Sequence, residues 1–264
     1  IDGALKGEEP TYTLGVPPID YLLFGNSGWG NKEFSGQMDE IEIFDRALSA
    51  SEIAAIYNAG GDGKCKPTCF TPPANMVSWW PGDEHPFDII GSNDGALKNG
   101  ATYADGKVGK AFSLDGVDDY VEVPLDSSLS PAHISVDAWF YATDITKQSS
   151  HPPIVKTNAY ALEINSDDGL LRFWVKVAEG WKSSQTATVP TNTWVHAAGT
   201  YDGSLIKLYR ARQPTYAATS TSGDIEAVTT PLNIGRDPLN TSRFFTGLID
   251  EVEIFDRALT ADEV

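Results

Sequence analysis

The chain has 264 residues, with 37 Asp and Glu against 19 Lys and Arg, for a formal charge of −18. Such a surface excludes nucleic acid as a partner, because phosphate contacts need Lys and Arg. No run of about 18 apolar residues is present, which excludes insertion into a membrane as a helix.

Residues 1–35 predict two strands, around Pro10–Leu14 and Tyr21–Gly25, with a hairpin tip at Ile1-Asp-Gly3. Gly36–Ile53 follows as a strand turning into a helix. Ile41 and Ile43 alternate with Glu40 and Glu42, the period of a strand with one buried face. Ser49 and Glu52 form a capping box for a helix over Ala50–Tyr57, which Gly60 ends. Gly247–Val264 repeats this segment about 211 residues later, with 12 of 18 positions identical. Thr260 and Glu263 restate the capping box. A repeat at this spacing means two copies of one domain, since solenoid periods are about 20–50 residues. The expected organisation is therefore the C-terminal part of a first domain over 1–62, a linker over 63–75 and a near-complete second domain over 76–264. The linker carries Cys65 and Cys69, read as a local disulfide, with free thiols as the alternative. Two cysteines alone do not complete a tetrahedral zinc site.

From Met76 onward, short alternating segments are separated by turns such as Gly91–Gly95, Asp115–Asp118, Asn165–Gly169 and Asp202-Gly203. Ile134–Tyr141, Tyr160–Ile164, Leu170–Val177, Trp194–Tyr201 and Leu205–Tyr209 are the clearest strands. This pattern predicts an all-β antiparallel sandwich, with short capped helices after the last strand of each copy.

Nine segments, in order, carry a resemblance: Val77-Ser-Trp-Trp-Pro-Gly-Asp83, Asp94-Gly-Ala-Leu97, Ala111-Phe-Ser-Leu-Asp-Gly116, Asp119-Tyr-Val-Glu-Val123, Val136-Asp-Ala-Trp139, Thr193-Trp-Val-His196, Thr200-Tyr-Asp-Gly203, Leu232-Asn-Ile-Gly235 and Gly247-Leu-Ile-Asp-Glu-Val252. Together they resemble a laminin G-like domain of the concanavalin A-like lectin/glucanase superfamily. The resemblance implies a jelly roll of two curved sheets that binds carbohydrate or protein and holds a structural Ca2+. It assigns the cation to Asp250, the aspartate opening the last strand, with Asp83, then Asn93 or Asp94, and a carbonyl of Gly116. The alternative for Asp250 is to cap a turn or pair with Arg257. Leu208–Pro214 departs from the tight hairpin usual at that place in the family.

Glu251 and Glu253 alternate on one strand and fall on one face about 7 Å apart, a spacing compatible with glycoside hydrolysis. The reading preferred for them is a solvated strand face, with no catalytic residue. Trp79, Trp139 and Trp194 are read as core. Trp174, Trp181 and Tyr160 are the expected ligand platforms, because sugars lay their apolar C–H faces on aromatic rings. The expected function is a non-catalytic carbohydrate-binding or adhesion module of a secreted or surface protein. Its partners would be a glycan or an extracellular protein. Alternatives are a structural repeat that self-associates through the first copy and, more distantly, a glycoside hydrolase.

Overall fold

The computed structural model describes residues 72–145, 151–165, 168–210, 217–240 and 242–264, with isolated positions between 24 and 53. The expected Cys65–Cys69 disulfide and the strands expected in the first copy lie outside these residues, as does most of the first capped helix. One of that helix's hydrogen bonds is described, from the Ile53 N–H to the Ser49 carbonyl at 3.1 Å. The chain divides into two units, Ile1–Thr71 and Pro72–Val264. The fold that follows is that of the second.

Among its described residues the strands are β1 (Met76–Trp80), β2 (Ala96–Lys98), β3 (Thr102–Asp105), β4 (Lys110–Asp115), β5 (Tyr120–Val123), β6 (Ile134–Ala142), β7 (His151–Lys156), β8 (Tyr160–Ile164), β9 (Leu170–Val177), β10 (Gly180–Thr188), β11 (Trp194–Tyr201), β12 (Leu205–Arg210), β13 (Ala217–Ser220), β14 (Leu232–Ile234) and β15 (Thr246–Phe255). They form an antiparallel jelly-roll sandwich. One sheet has eight strands in the order β13-β12-β11-β6-β15-β4-β3, with β1 also paired to β15. The other has seven, in the order β10-β9-β8-β7-β14-β5-β2.

Alternation decides which side chains meet between the sheets. From β6, Ile134, Val136, Ala138 and Phe140 point inward; from β9, Leu171, Phe173, Val175 and Val177 do, and all are fully buried. Each large side chain buried in this way contributes about 1.5–3 kcal/mol relative to exposure. The two sheets pack tightly where Phe173 lies over Gly199 of β11. A Cβ added there would come within 2.2 Å of the ring.

Two irregularities position polar groups. The prolines of His151-Pro-Pro lie where the β7–β8 register slips, as a residue lacking an N–H requires. In β15 the pairing with β6 shifts between Asp250 and Glu253, and Glu251 takes a φ of +50°. This bulge turns Asp250 and Glu251 to the same outer side. Asp250 thus sits within the last strand, which opens four residues earlier at Thr246. After β15 the chain forms a turn in which the N–H groups of Glu263 and Val264 donate to the Thr260 carbonyl at 3.2 and 3.3 Å. The carboxylate half of the capping box is made there: Glu263 accepts the Thr260 N–H at 2.8 Å. Arg257 pairs with Glu263 at 2.6 Å and not with Asp250.

Candidate functional site

A cleft of about 500 Å³ opens on the outer face of the seven-stranded sheet. Its floor follows from strand parity. In Tyr160-Ala-Leu-Glu-Ile164, Tyr160, Leu162 and Ile164 face the core, so Ala161 and Glu163 face outward. In β9 the inward set is Leu171, Phe173 and Val175, which leaves Arg172, Trp174 and Lys176 outside. Register then places Val155, Ala161 and Trp174 side by side across β7, β8 and β9. Trp181 of β10 joins them diagonally, since Ser183 is the residue opposite Trp174. Both tryptophans line the cleft, and Trp181 remains 41% exposed.

Tyr160 does not belong there. Its ring is fully buried between the sheets, and its hydroxyl donates to the Leu129 carbonyl at 2.9 Å. Burial raises its pKa, so it stays a neutral donor.

The opposite wall is the loop between β14 and β15. An Arg236–Phe244 bridge and an Asp237 N–H bond to the Arg243 carbonyl at 3.1 Å close it. It presents Asp237, Leu239, Asn240 and Arg243 to the cleft, with Leu239 70% exposed. Glu163 is the floor's polar centre. Its Oε1 accepts the Trp174 indole N–H at 2.8 Å, which anchors that ring. Burial raises the Glu163 pKa, while the Trp174 hydrogen bond and the charges of Arg243 and Arg172 oppose the shift. Arg243 is held to Asp237 at 3.2 Å. Glu163, Asp237, Leu239 and Arg243 were not singled out from the sequence. For Glu163 the signal was the parity of β8; the loop residues carry no periodic signal.

The four residues expected to share a cation are not brought together. Asp83 and Asp250 cap one loop: Asp83 Oδ1 accepts the Lys110 N–H at 2.6 Å, and Asp250 Oδ2 accepts those of Lys107 and Val108 at 2.7 and 3.0 Å. Asp250 Oδ2 thus caps the turn, while its buried Oδ1 has no hydrogen-bond partner among the described residues. Burial pushes its carboxyl up to about 6 against those N–H groups. Asn93 donates its amide to Ser78 and Ser128, and its carbonyl accepts the Trp80 indole N–H. Gly116 lies beside Thr246, four strand positions from Asp250, or about 13 Å at the rise of a strand. Asp83 and Asp250 meet at one loop, whereas Gly116 stands away from them and the Asn93 side chain is engaged with Ser78 and Ser128. The carboxylates that do converge are Asp115, Asp118 and Asp119, within 4.8 Å of one another in the turn containing Gly116. There Asp115 accepts the Val117 N–H and Asp119 accepts that of Asp115, so the turn's own backbone occupies them.

The outer face of the eight-stranded sheet departs from both expectations for it. Trp79, Trp139 and Trp194 are not core residues; they stand half-buried on this face, and Trp80 is the tryptophan inside. Glu251 and Glu253 share the face and are half-buried rather than fully solvated. Glu251 accepts the Trp79 indole N–H at 2.5 Å. Burial pushes Glu251 up to about 7 and Glu253 up to about 8, reinforced by the nearby charge of Asp137. Asp137 Oδ1 lies 2.7 Å from His196 Nε2.

A family model described as the concanavalin A-like lectin/glucanases superfamily matches residues 1–54 and 115–264. Among solved structures, domain 4 of AbnA, a GH43 extracellular arabinanase from Geobacillus stearothermophilus, in complex with arabinotriose, superposes with a TM-score of 0.60 at 23% identity. The match covers 72% of this chain and 96% of that one. The binding domain of Paraclostridial Mosquitocidal Protein 1 gives 0.57 at 17% identity, over 72% of this chain and 50% of that one. The botulinum neurotoxin serotype D binding domain gives 0.54 at 16%, over 72% and 50%. At these identities the likeness is one of fold. No curated protein matches the chain.

Proposed function

The chain belongs to the concanavalin A-like lectin/glucanases superfamily, and we propose that its second unit is a non-catalytic carbohydrate-binding module of an extracellular protein. The observation that carries this reading is the cleft itself. An exposed indole, Trp181, stands beside a second indole anchored by a carboxylate, with amide and charged groups around them. A sugar has an apolar C–H face and a rim of hydroxyls, so it needs this combination of aromatic platform and convergent polar groups. That a similarly folded arabinanase domain was solved with arabinotriose supports the assignment.

The carboxyl pair on the other sheet does not favour hydrolysis. It lies on the sheet opposite the cleft, and Glu251 already accepts the Trp79 indole N–H at 2.5 Å.

The test is a glycan array followed by calorimetry on the full chain and on Trp181→Ala. Binding that falls at least about tenfold in the variant, ~1.4 kcal/mol, supports the proposal. An array without a hit, or binding indifferent to Trp181, overturns it. Release of reducing sugar that Glu251→Gln abolishes would replace binding with catalysis.

A further inference from the structure

We infer that the cleft selects uncharged oligosaccharides and rejects acidic ones. This rests on the carbohydrate-binding reading and specifies the ligand class. A site for uronates or other acidic sugars needs a cation free to meet a carboxylate, most often a bidentate arginine. The arginine lining the cleft and the two cations on the strand beside it are each tied to a protein carboxylate, and Arg236 of the β14–β15 loop lies over the Tyr120 ring. Arg243, the cation lining the cleft, is held to Asp237 at 3.2 Å; on the strand beside it, Arg172 pairs with Asp168 at 2.5 Å and Lys176 with Glu226 at 3.0 Å.

Glu163 stands apart from these pairs. Its hydrogen-bond partner is an indole N–H, it forms no ion pair with a cation among the described residues, and it lies in the floor where a ligand would rest. A sugar carboxylate in the cleft would meet Glu163 and Asp237 with one offset arginine between them. Like charges brought together in this way are a strong element of discrimination. The rest of the lining suits hydroxyls: the amides of Asn158, Asn165 and Asn240, and the apolar surfaces of Trp181 and Leu239. The formal charge of −18 on the whole chain acts in the same direction at long range.

The experiment compares matched ligands on the full-length chain by calorimetry at low salt. Arabinotriose, 1,4-linked galactotriose and cellotriose are the neutral probes. Trigalacturonate and the C6-oxidised cellotriose are acidic counterparts of the last two, differing from them only at C6. The expected result is that the neutral member of a pair binds at least about tenfold tighter, and that the ratio shrinks at about 1 M salt as charge is screened.

Glu163→Gln keeps an acceptor for the Trp174 N–H while removing the charge, and Asp237→Asn releases Arg243. Either variant is expected to narrow the ratio toward the acidic ligand. Equal or tighter binding of the acidic member, at a site still lost in Trp181→Ala, overturns the inference and leaves the carbohydrate-binding reading standing. Failure of every probe to bind overturns both.

Discussion

The Tyr160 hydroxyl separates a structural aromatic from a functional one. It sits inside the sandwich with one partner, the Leu129 carbonyl at 2.9 Å. Tyr160→Phe keeps the ring and removes that bond, leaving a buried carbonyl short of a donor. The expected cost is about 1 kcal/mol of stability, or roughly 2–4 °C in Tm for a unit of this size. Glycan affinity should stay at the native value, because the ring never reaches the cleft. Calorimetry and a melting curve on one preparation check both halves; lost affinity at unchanged Tm would place Tyr160 in the site after all. The tryptophans sort by the same rule of parity. Trp79 and Trp80 are neighbours, so one must point in and the other out, and composition does not say which. Register does: Trp79 opposes Glu253, an outward residue, and Trp80 opposes Val252, which is buried.

Element by element, the information in the sequence was uneven. In β8 and β9, strict alternation carries Tyr160, Leu162 and Ile164 to one face with Leu171, Phe173 and Val175, and this suffices to place Trp174 outside with Glu163. The sandwich and its terminal strand were equally readable, because apolar period and turn residues agree there. The bulge at Asp250–Glu253 was not readable. A single left-handed residue, here Glu251 at a φ of +50°, leaves no compositional trace yet changes which carboxyls share a face. The Asp237–Arg243 wall was hidden for another reason: loop residues are placed by closure bonds made across the loop, not by periodicity. The contact between the two sheets yields an element-scale prediction. At Gly199 the backbone of β11 passes under Phe173 with no room for a methyl group. Gly199→Ala forces the ring or the strand to move, at an expected cost of about 1–3 kcal/mol. A denaturant titration should show a lower midpoint. An unchanged midpoint would mean that the sheets tolerate separation there, and that Phe173 does not set their spacing.

At the scale of the whole unit, buried charge sets how stability responds to pH. Burial raises Asp250 to about 6, Glu251 to about 7 and Glu253 to about 8. In the unfolded chain these carboxyls titrate near 4. Between that value and about pH 8 the folded state holds protons that the unfolded state has released. Stability must therefore fall as pH rises through this window. The groups on the eight-stranded face interact, so the fall is one broad coupled change rather than separate steps. The net charge of −18 adds self-repulsion in the same direction. Lys156 acts oppositely. It is fully buried, donates to the Thr230 carbonyl at 2.8 Å, and is lowered to about 8 by desolvation, against the attraction of Asp126. From about pH 8 to the ordinary lysine value near 10.4, the unfolded chain binds the extra proton. Stability then rises with pH until tyrosine ionisation intervenes. The predicted profile has a minimum near pH 8. Urea titrations from pH 5 to 9.5, followed by tryptophan fluorescence, should trace it. Glu253→Gln should flatten the acid-side slope and Lys156→Met the alkaline one, each leaving the other limb in place. A native profile that climbs from pH 5 to 8 would mean that these carboxyls are ionised in the folded unit, balanced by a cation or by water reaching the face.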